Sequence, residues 1–450
     1  MGSLTLQAGG LYLPIGTDAV TGKFAATDGN GTTGAIDDPY SITAAFTAGA
    51  VSPGETLWLR GGTYYWPTRA STETGFSVSL KGTSQAGITV RSYPGEWAVL
   101  DGGLRSPSAA QDRPEYLTVR DIEILVSENI TESRVSPTTD HADLSPARPA
   151  GGVFIIEGYA VSIVNCIVRD NTVNGIYWGG RVAGGSKLYG NLIYDNGYVG
   201  STRNHGHGIY SQNGEGHTDW KYIFNNMLLD PYYYHMQHYG SETAYYDYYD
   251  MRDNVCHATS NAIVGAKNEI TMGGERGGNY WRISGHMHGA CAFGVGYGGD
   301  PAVTDLVVTG CRIGATLNVY HVNNPYVNCS FSNNWERYSG VWAYNTSYTA
   351  TGPLVPPRAE VYANATPSGP WVKLQVNEYD TSRAMLSIRV FDEAETVAVP
   401  IAGLLSVGDQ WELRDARDYR GDPLQTGTCS DATITINMPD EFHCGVLTRI

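Results

Sequence analysis

The sequence predicts an all-β chain: a parallel β-helix over residues 1–348, a linker over 349–358 and a small β-sandwich over 359–450. Three observations predict it. Charged residues make up only 16% of the chain while Gly (55) and Tyr (31) are abundant, a balance suited to many strands and tight turns. Short apolar segments recur along the middle of the chain, each alternating with period two. A Pro- and Gly-rich break, "TATGPLVPPR" (349–358), then separates that region from strands spaced as in a sandwich.

The repeat is visible when segments around an Asn or Gly are aligned: "SIVNCIV", "KLYGNLIY", "YIFNNMLL", "MRDNVCH", "RISGHMHG", "VVTGCRIG" and "YVNCSF". Their anchors are Asn165, Asn191, Asn226, Asn254, Gly285, Gly310 and Asn328, spaced by 26, 35, 28, 31, 25 and 18 residues. Between them lies a second series centred on Phe154, Ile176, Ile209, Met236, Ile263, Phe293 and Val319. Each unit thus holds at least two short strands, and helical periodicity is absent. An Asn at a bend tolerates left-handed backbone, and stacked Asn side chains can bond along a ladder. Cys166, Cys311 and Cys329, with Leu192, Met227 and Val255, follow the anchor, so that column is expected to point inward.

After the break, "AEVYANA", "WVKLQV", "MLSIRVF", "ETVAVPI", "QWELRDA" and "ATITINM" read as the sandwich strands. The seven cysteines form no CxxC pair, which disfavours a zinc ribbon; Cys429 and Cys444 are close enough in sequence to pair. The net charge of −16 disfavours nucleic acid and anionic membranes as partners, and no apolar run reaches membrane-spanning length. The opening "MGSLTLQAGG" is too polar for a signal peptide, and a secreted, cell-surface or virion-associated location is expected.

"PGETLWLRGGTY" (53–64), "ITVRSYPGEWAVLDG" (88–102) and the "HGIY" and "GN" repeats carry a likeness to a known family. Over roughly 40–340 the chain resembles the pectate-lyase-like right-handed β-helix superfamily. That resemblance implies right-handed winding and a scaffold shared by polysaccharide lyases, glycoside hydrolases, esterases and phage tailspikes. No family's complete catalytic motif is matched, so the resemblance carries no catalytic residue over.

The candidate site starts from "NHGHGIYSQNGE" (204–215), which gathers two histidines, a tyrosine, amides and a carboxylate. Rungs of a β-helix stack about 4.8 Å apart, so equivalent residues are neighbours. Registering the strands on Ile209, Met236 and Ile263 puts Glu215, Glu242 and Glu269 in one column. It also stacks Gly208 with His235, and Gln212 with Tyr239, and sets Tyr210 outward beside Gln237. Stacked carboxylates splay into solvent, bind a cation such as Ca²⁺ as their cofactor, or leave one protonated as a general acid.

His205, His207, His217, His235 and His238 crowd the same stretch, with His207 standing where Asn174 and Asn261 stand in other rungs and His238 pointing inward. Tyrosines crowd 230–250, half of them expected to serve packing and half to meet sugar rings. Two enzyme readings follow for a polysaccharide substrate. A hydrolase, slightly preferred, would use Glu215, Glu242 or Glu269. A lyase would use Lys267 or Arg276 to neutralise a uronate, with His235, His205 or Tyr210 as base. In both, His207, Tyr210, Gln212, Tyr239 and Arg276 would bind substrate. The alternative class is a non-catalytic glycan-binding adhesin or tailspike-like module.

Overall fold

The computed structural model describes residues 20–66, 75–131, 151–199, 204–259, 270–276, 278–289, 291–297, 303–315, 317–319, 326–332, 334–336, 361–363, 369–391, 395–438 and 440–450. They divide into two compact units, one within 20–365 and one within 366–450.

The first unit is a parallel β-helix. Each turn of chain contributes a strand to each of three faces in sequence. One turn runs Lys187–Tyr189, Leu192–Tyr194, Ile209–Ser211; the next runs Lys221–Phe224, Met227–Leu229, Met236–Gly240. The first and third faces join through the long strand Val153–Val164 into a 20-stranded sheet, and the second face is an 11-stranded sheet, both parallel among the described residues. Period-two alternation does the sorting. Leu188, Ile223, Met251, Ile283 and Val308 point in from the first face, Val168, Ile193, Leu228 and Cys256 from the second, and Ile176, Ile209, Met236, Ile270 and Phe293 from the third. All are at most 1% exposed. Each buried aliphatic contributes roughly 1.5–3 kcal/mol.

The bend between first and second faces takes two residues. The first adopts left-handed backbone: Asp121 (φ 53°), Asn165 (54°), Asn225 (54°) and Asp253 (59°), with Gly190, Gly285 and Gly310 in the same place. The second points inward as Cys166, Asn191, Asn226, Asn254, His286 and Cys311, all at most 1% exposed. The expected Asn ladder exists here. Asn226 Oδ1 accepts from the amide (3.0 Å) and Nδ2 (2.9 Å) of Asn191, and Asn254 Oδ1 does the same for Asn226. Each Nδ2 also donates backwards, Asn191 to Ile163 O, Asn226 to Leu188 O and Asn254 to Ile223 O.

The expected inward column needs correction by one residue. Cys166 and Cys311 are equivalent to the ladder asparagines, whereas Leu192, Met227 and Val255 lie in register with Ile167 as the first strand residues of the second face. Asn occupies either bend position, which is why the anchors mixed them.

The second unit holds a five-stranded antiparallel sheet, ordered Trp371–Val376, Arg383–Arg389, Phe442–Arg449, Gln410–Asp415, Gln425–Thr428, and a pair Thr396–Pro400 with Thr433–Asn437. Leu386, Ile388, Leu413 and Leu447 of the larger sheet share one core with Val397, Val399, Ile434 and Ile436 of the pair. "AEVYANA" does not open this sandwich: Val361–Ala363 pairs in parallel with Asn334–Glu336, as a further strand of the helix's second face. Cys429 and Cys444 are not joined, and all seven cysteines are buried thiols. The expected linker, 349–358, lies outside the described residues.

Candidate functional site

The outward side of the third face carries an in-register row across successive rungs, Arg105, Phe154, Tyr177, Tyr210 and Gln237, with Thr271 next in register but buried. Alternation turns these residues away from the core because Ile155, Ile176, Ile209, Met236 and Ile270 point into it. Phe154 stacks on Tyr177 with ring centres 4.5 Å apart, and Tyr177 on Tyr210 at 5.7 Å. His207 stacks against Tyr210 (5.2 Å) and Tyr234 (5.5 Å), and its amide donates to Asn174 Oδ1 (3.0 Å), so it stands over Asn174 as the alignment anticipated.

Gln212 ties the row together. Its Nε2 donates to Tyr210 Oη (3.0 Å) and Tyr239 O (3.3 Å), while its Oε1 accepts from Tyr177 Oη (3.4 Å). Burial raises the Tyr177 phenol pKa, so the hydroxyl stays protonated. The result is a rigid platform of ring edges, phenols and one clamped amide.

Turns rising between the third and first faces form a rim. Residues 212–220 and 241–248 are pinned together where Asn213 N donates to Tyr245 O (2.6 Å) and Tyr245 N to Asn213 O (2.8 Å). Glu215 and Glu242 stand exposed on these two turns. Arg276 backs them: Nε donates to Ser241 O (2.7 Å), Nη1 to Tyr245 Oη (2.7 Å) and Nη2 to Glu242 O, with its plane 4.4 Å from the Tyr245 ring centre. Asp247 on the second turn is partly buried. Burial raises its carboxyl pKa, opposed by hydrogen bonds from Asn279 N (2.7 Å) and Nδ2 (3.0 Å). Towards the N-terminal end, exposed Arg181 is ion-paired with buried Glu157.

Of the residues expected to bind substrate, the structure brings His207, Tyr210, Gln212 and Tyr239 together and places Arg276 against the 241–245 turn. The expected catalytic column is not. Met236 registers with Ile270, not Ile263, because the chain after Val255–His257 runs seven residues further before re-entering the third face. The position six past Ile270 is Arg276, so the register sets Arg276 rather than Glu269 beside Glu242, and among the described residues no third carboxylate stacks on Glu215 and Glu242. Among the described residues no group of three His, Cys, Asp or Glu side chains is placed to hold a metal.

Lys267 and Glu269 lie outside the described residues; of His205 only the backbone is described, paired with Tyr198. His235 is not a surface base. It is fully buried where Gly208 stands on the preceding rung, Nε2 sits 3.0 Å from His257 O, and burial lowers its pKa to about 4. His238 is also inside, edge-on to Tyr249 and Trp281, with its pKa lowered to about 3 by burial and then by Lys221. In the tyrosine stretch, Tyr232, Tyr234, Tyr246 and Tyr249 are buried and Tyr233, Tyr239, Tyr245 and Tyr248 partly exposed, the even division expected. Sequence reasoning took Phe154 as the inward centre of its rung, but Val153 is in register with Ile176 and Phe154 faces outward; Tyr177 it missed, although "GIYW" places it one residue from Ile176, as Tyr210 is from Ile209 in "GIYS".

No protein-family model and no curated protein matches the chain. Solved structures do. Pectate lyase Pel9A is similar at 15% identity over 74% of this chain and 81% of that one, with a TM-score of 0.44. The catalytic unit of the GH87 α-1,3-glucanase from Streptomyces thermodiastaticus strain HF3-3 is similar at 13% identity over 73% and 64%, with a TM-score of 0.35. The Dettilon tailspike protein is similar at 11% over 88% of both chains, with a TM-score of 0.26. The described strands of the first unit build a parallel β-helix, and the solved structures similar to this chain include polysaccharide lyases, glycoside hydrolases and a tailspike.

Proposed function

We propose that this protein is a carbohydrate-active enzyme that holds a neutral polysaccharide along the outer third face and hydrolyses it at the rim. The observation that carries this reading is the Phe154–Tyr177–Tyr210 stack with its Gln212 clamp. Aromatic edges and phenols suit sugar C–H groups and hydroxyls, and a rung repeat of about 4.8 Å suits a polymer laid along the axis. Elimination from a uronate needs a cation beside the sugar carboxylate. Arg181 is ion-paired with Glu157, and the Phe154–Tyr177–Tyr210 stack is itself uncharged, which supports a neutral substrate.

Glu215 and Glu242 are the proposed acid and its partner, joined by the paired turns rather than by stacking. Asp247 stands by as a third carboxyl of raised pKa. A polysaccharide substrate is met outside the cell or at a virion surface, and that is the proposed location.

The test is a panel of neutral and uronate polysaccharides, read for new reducing ends and for the ultraviolet absorbance of an unsaturated uronate. Reducing ends without absorbance, reduced at least about a hundredfold in Glu215→Gln or Glu242→Gln, are expected. Reducing ends with absorbance would replace hydrolysis by elimination. Binding without cleavage would replace the enzyme by a glycan-binding module, a reading favoured by how openly both glutamates face solvent.

A further inference from the structure

Lys221 lies inside the cylinder. Its column runs Ser186, Lys221, Tyr249, Trp281 along the inner side of the first face, and it is 0% exposed. No described carboxylate pairs with it. Its Nζ instead reaches across the lumen to the third face and donates to Gln212 O (2.6 Å), Gly179 O (2.8 Å) and Trp178 O (3.4 Å). The Tyr249 ring centre is 5.9 Å away, and Tyr249 Oη lies 2.7 Å from Ser211 Oγ.

Trp178 O already accepts from Gln212 N (3.1 Å) and Ser211 Oγ (3.2 Å), so the carbonyl whose need for a donor follows from register is that of Gly179. Between Val153–Val164 and Ile176–Ala183 the pairing slips: Ile155 faces Trp178, but Glu157 faces Arg181. The extra residue is accommodated at Gly179–Gly180, where a Cβ on Gly179 would come within 2.7 Å of Ile156 Cα. A bulge takes a carbonyl off the ladder, and a buried carbonyl without a donor is destabilising. Burial pulls the Lys221 pKa well below its usual value, but three acceptors favour the ammonium, which alone has a proton for each.

The same segment carries the outer platform. The carbonyl of Gln212 is held from inside while its side chain clamps Tyr177 and Tyr210 outside, and Glu215 follows three residues later. We propose that Lys221 is a positioning residue, an internal strut that fixes the Gly179 bulge and the Gln212 backbone and so sets the outer glycan platform. The consequence for glycan binding rests on the proposed function above; the strut itself does not.

Two readouts test it. Amide hydrogen exchange in Lys221→Met is expected to quicken about tenfold or more at 179–181 and 212–214 while the Asn191, Asn226 and Asn254 amides keep their protection. For the panel polysaccharide that the wild-type protein binds best, Lys221→Met is expected to weaken affinity about tenfold. The double variant with Gln212→Ala should bind no more weakly than the weaker single variant, since both changes remove one clamp.

Unchanged or evenly spread exchange would overturn the strut, and additive losses in affinity would overturn its action through Gln212. If Lys221→Met does not fold, Lys221→Gln, which keeps two donors, is read the same way. If no panel glycan binds the wild-type protein, the proposed function fails, and the exchange result still decides the role of Lys221.

Discussion

The two kinds of corner in the β-helix differ in what they tolerate. Between the first and second faces, two residues make the turn in rung after rung, one left-handed and one inward and hydrogen-bonded. Between the third and first faces the connection changes each time, spanning 212–220, then 241–248, then 275–278. The constant corner is closed by its own side chains, so length and chemistry are fixed by the stack. The variable corner meets solvent, and its residues bond one another across turns, as Arg276 does to Ser241, Glu242 and Tyr245. Stability should be concentrated at the cylinder and its constant corner, and glycan chemistry at the variable one.

Acid should break the cylinder first. His235, His238 and His288 are fully buried, and burial lowers their pKa values to about 4, 3 and 3. A histidine whose folded pKa lies below its unfolded value stabilises fully above about pH 6.5 and loses that contribution as pH falls towards the folded value. At pH 4 each protonatable site costs on the order of 3 kcal/mol. Melting temperature should therefore fall steeply between pH 6.5 and 4, and a flat profile would show that these rings are hydrated.

Asn226→Ala should come next, at about 2–4 kcal/mol by denaturant unfolding, because it strands donors on Asn191 and acceptors at Leu188 and Asn254. Asp253→Val, which puts a branched residue into left-handed backbone, should cost about 1–2 kcal/mol. At the variable corner Glu215→Gln should leave stability within about 0.5 kcal/mol while altering only what the protein does to a glycan. A large stability loss there, or a mild one at Asn226, would erase the distinction between the corners.

The architecture was legible because alternation and a bend residue recur whatever the substrate. Pairings between adjacent rungs were also legible where connections match: Ile209 with Met236, Tyr210 with Gln237, Gln212 with Tyr239. The catalytic column failed because "NAIVG" reads as a strand centre by its pattern, while the residue in register with Met236 is Ile270. Period-two patterning marks which residues alternate but not how long a connection is. Lys221 was legible in principle: in "WKYIF" it alternates with inward Ile223, and a lysine on the core side of a strand signals a buried acceptor set.

The asparagine ladder has a direction. At every step the amide and Nδ2 of one asparagine donate towards the next rung, and the next rung's Oδ1 accepts. Cut after Asn191 or after Asn226, the stack would leave that residue's amide and one Nδ2 hydrogen open, and the next turn carries the acceptor that closes them. Over these rungs the polarity of the ladder means that the donors of each asparagine are completed only by the rung that follows it in sequence.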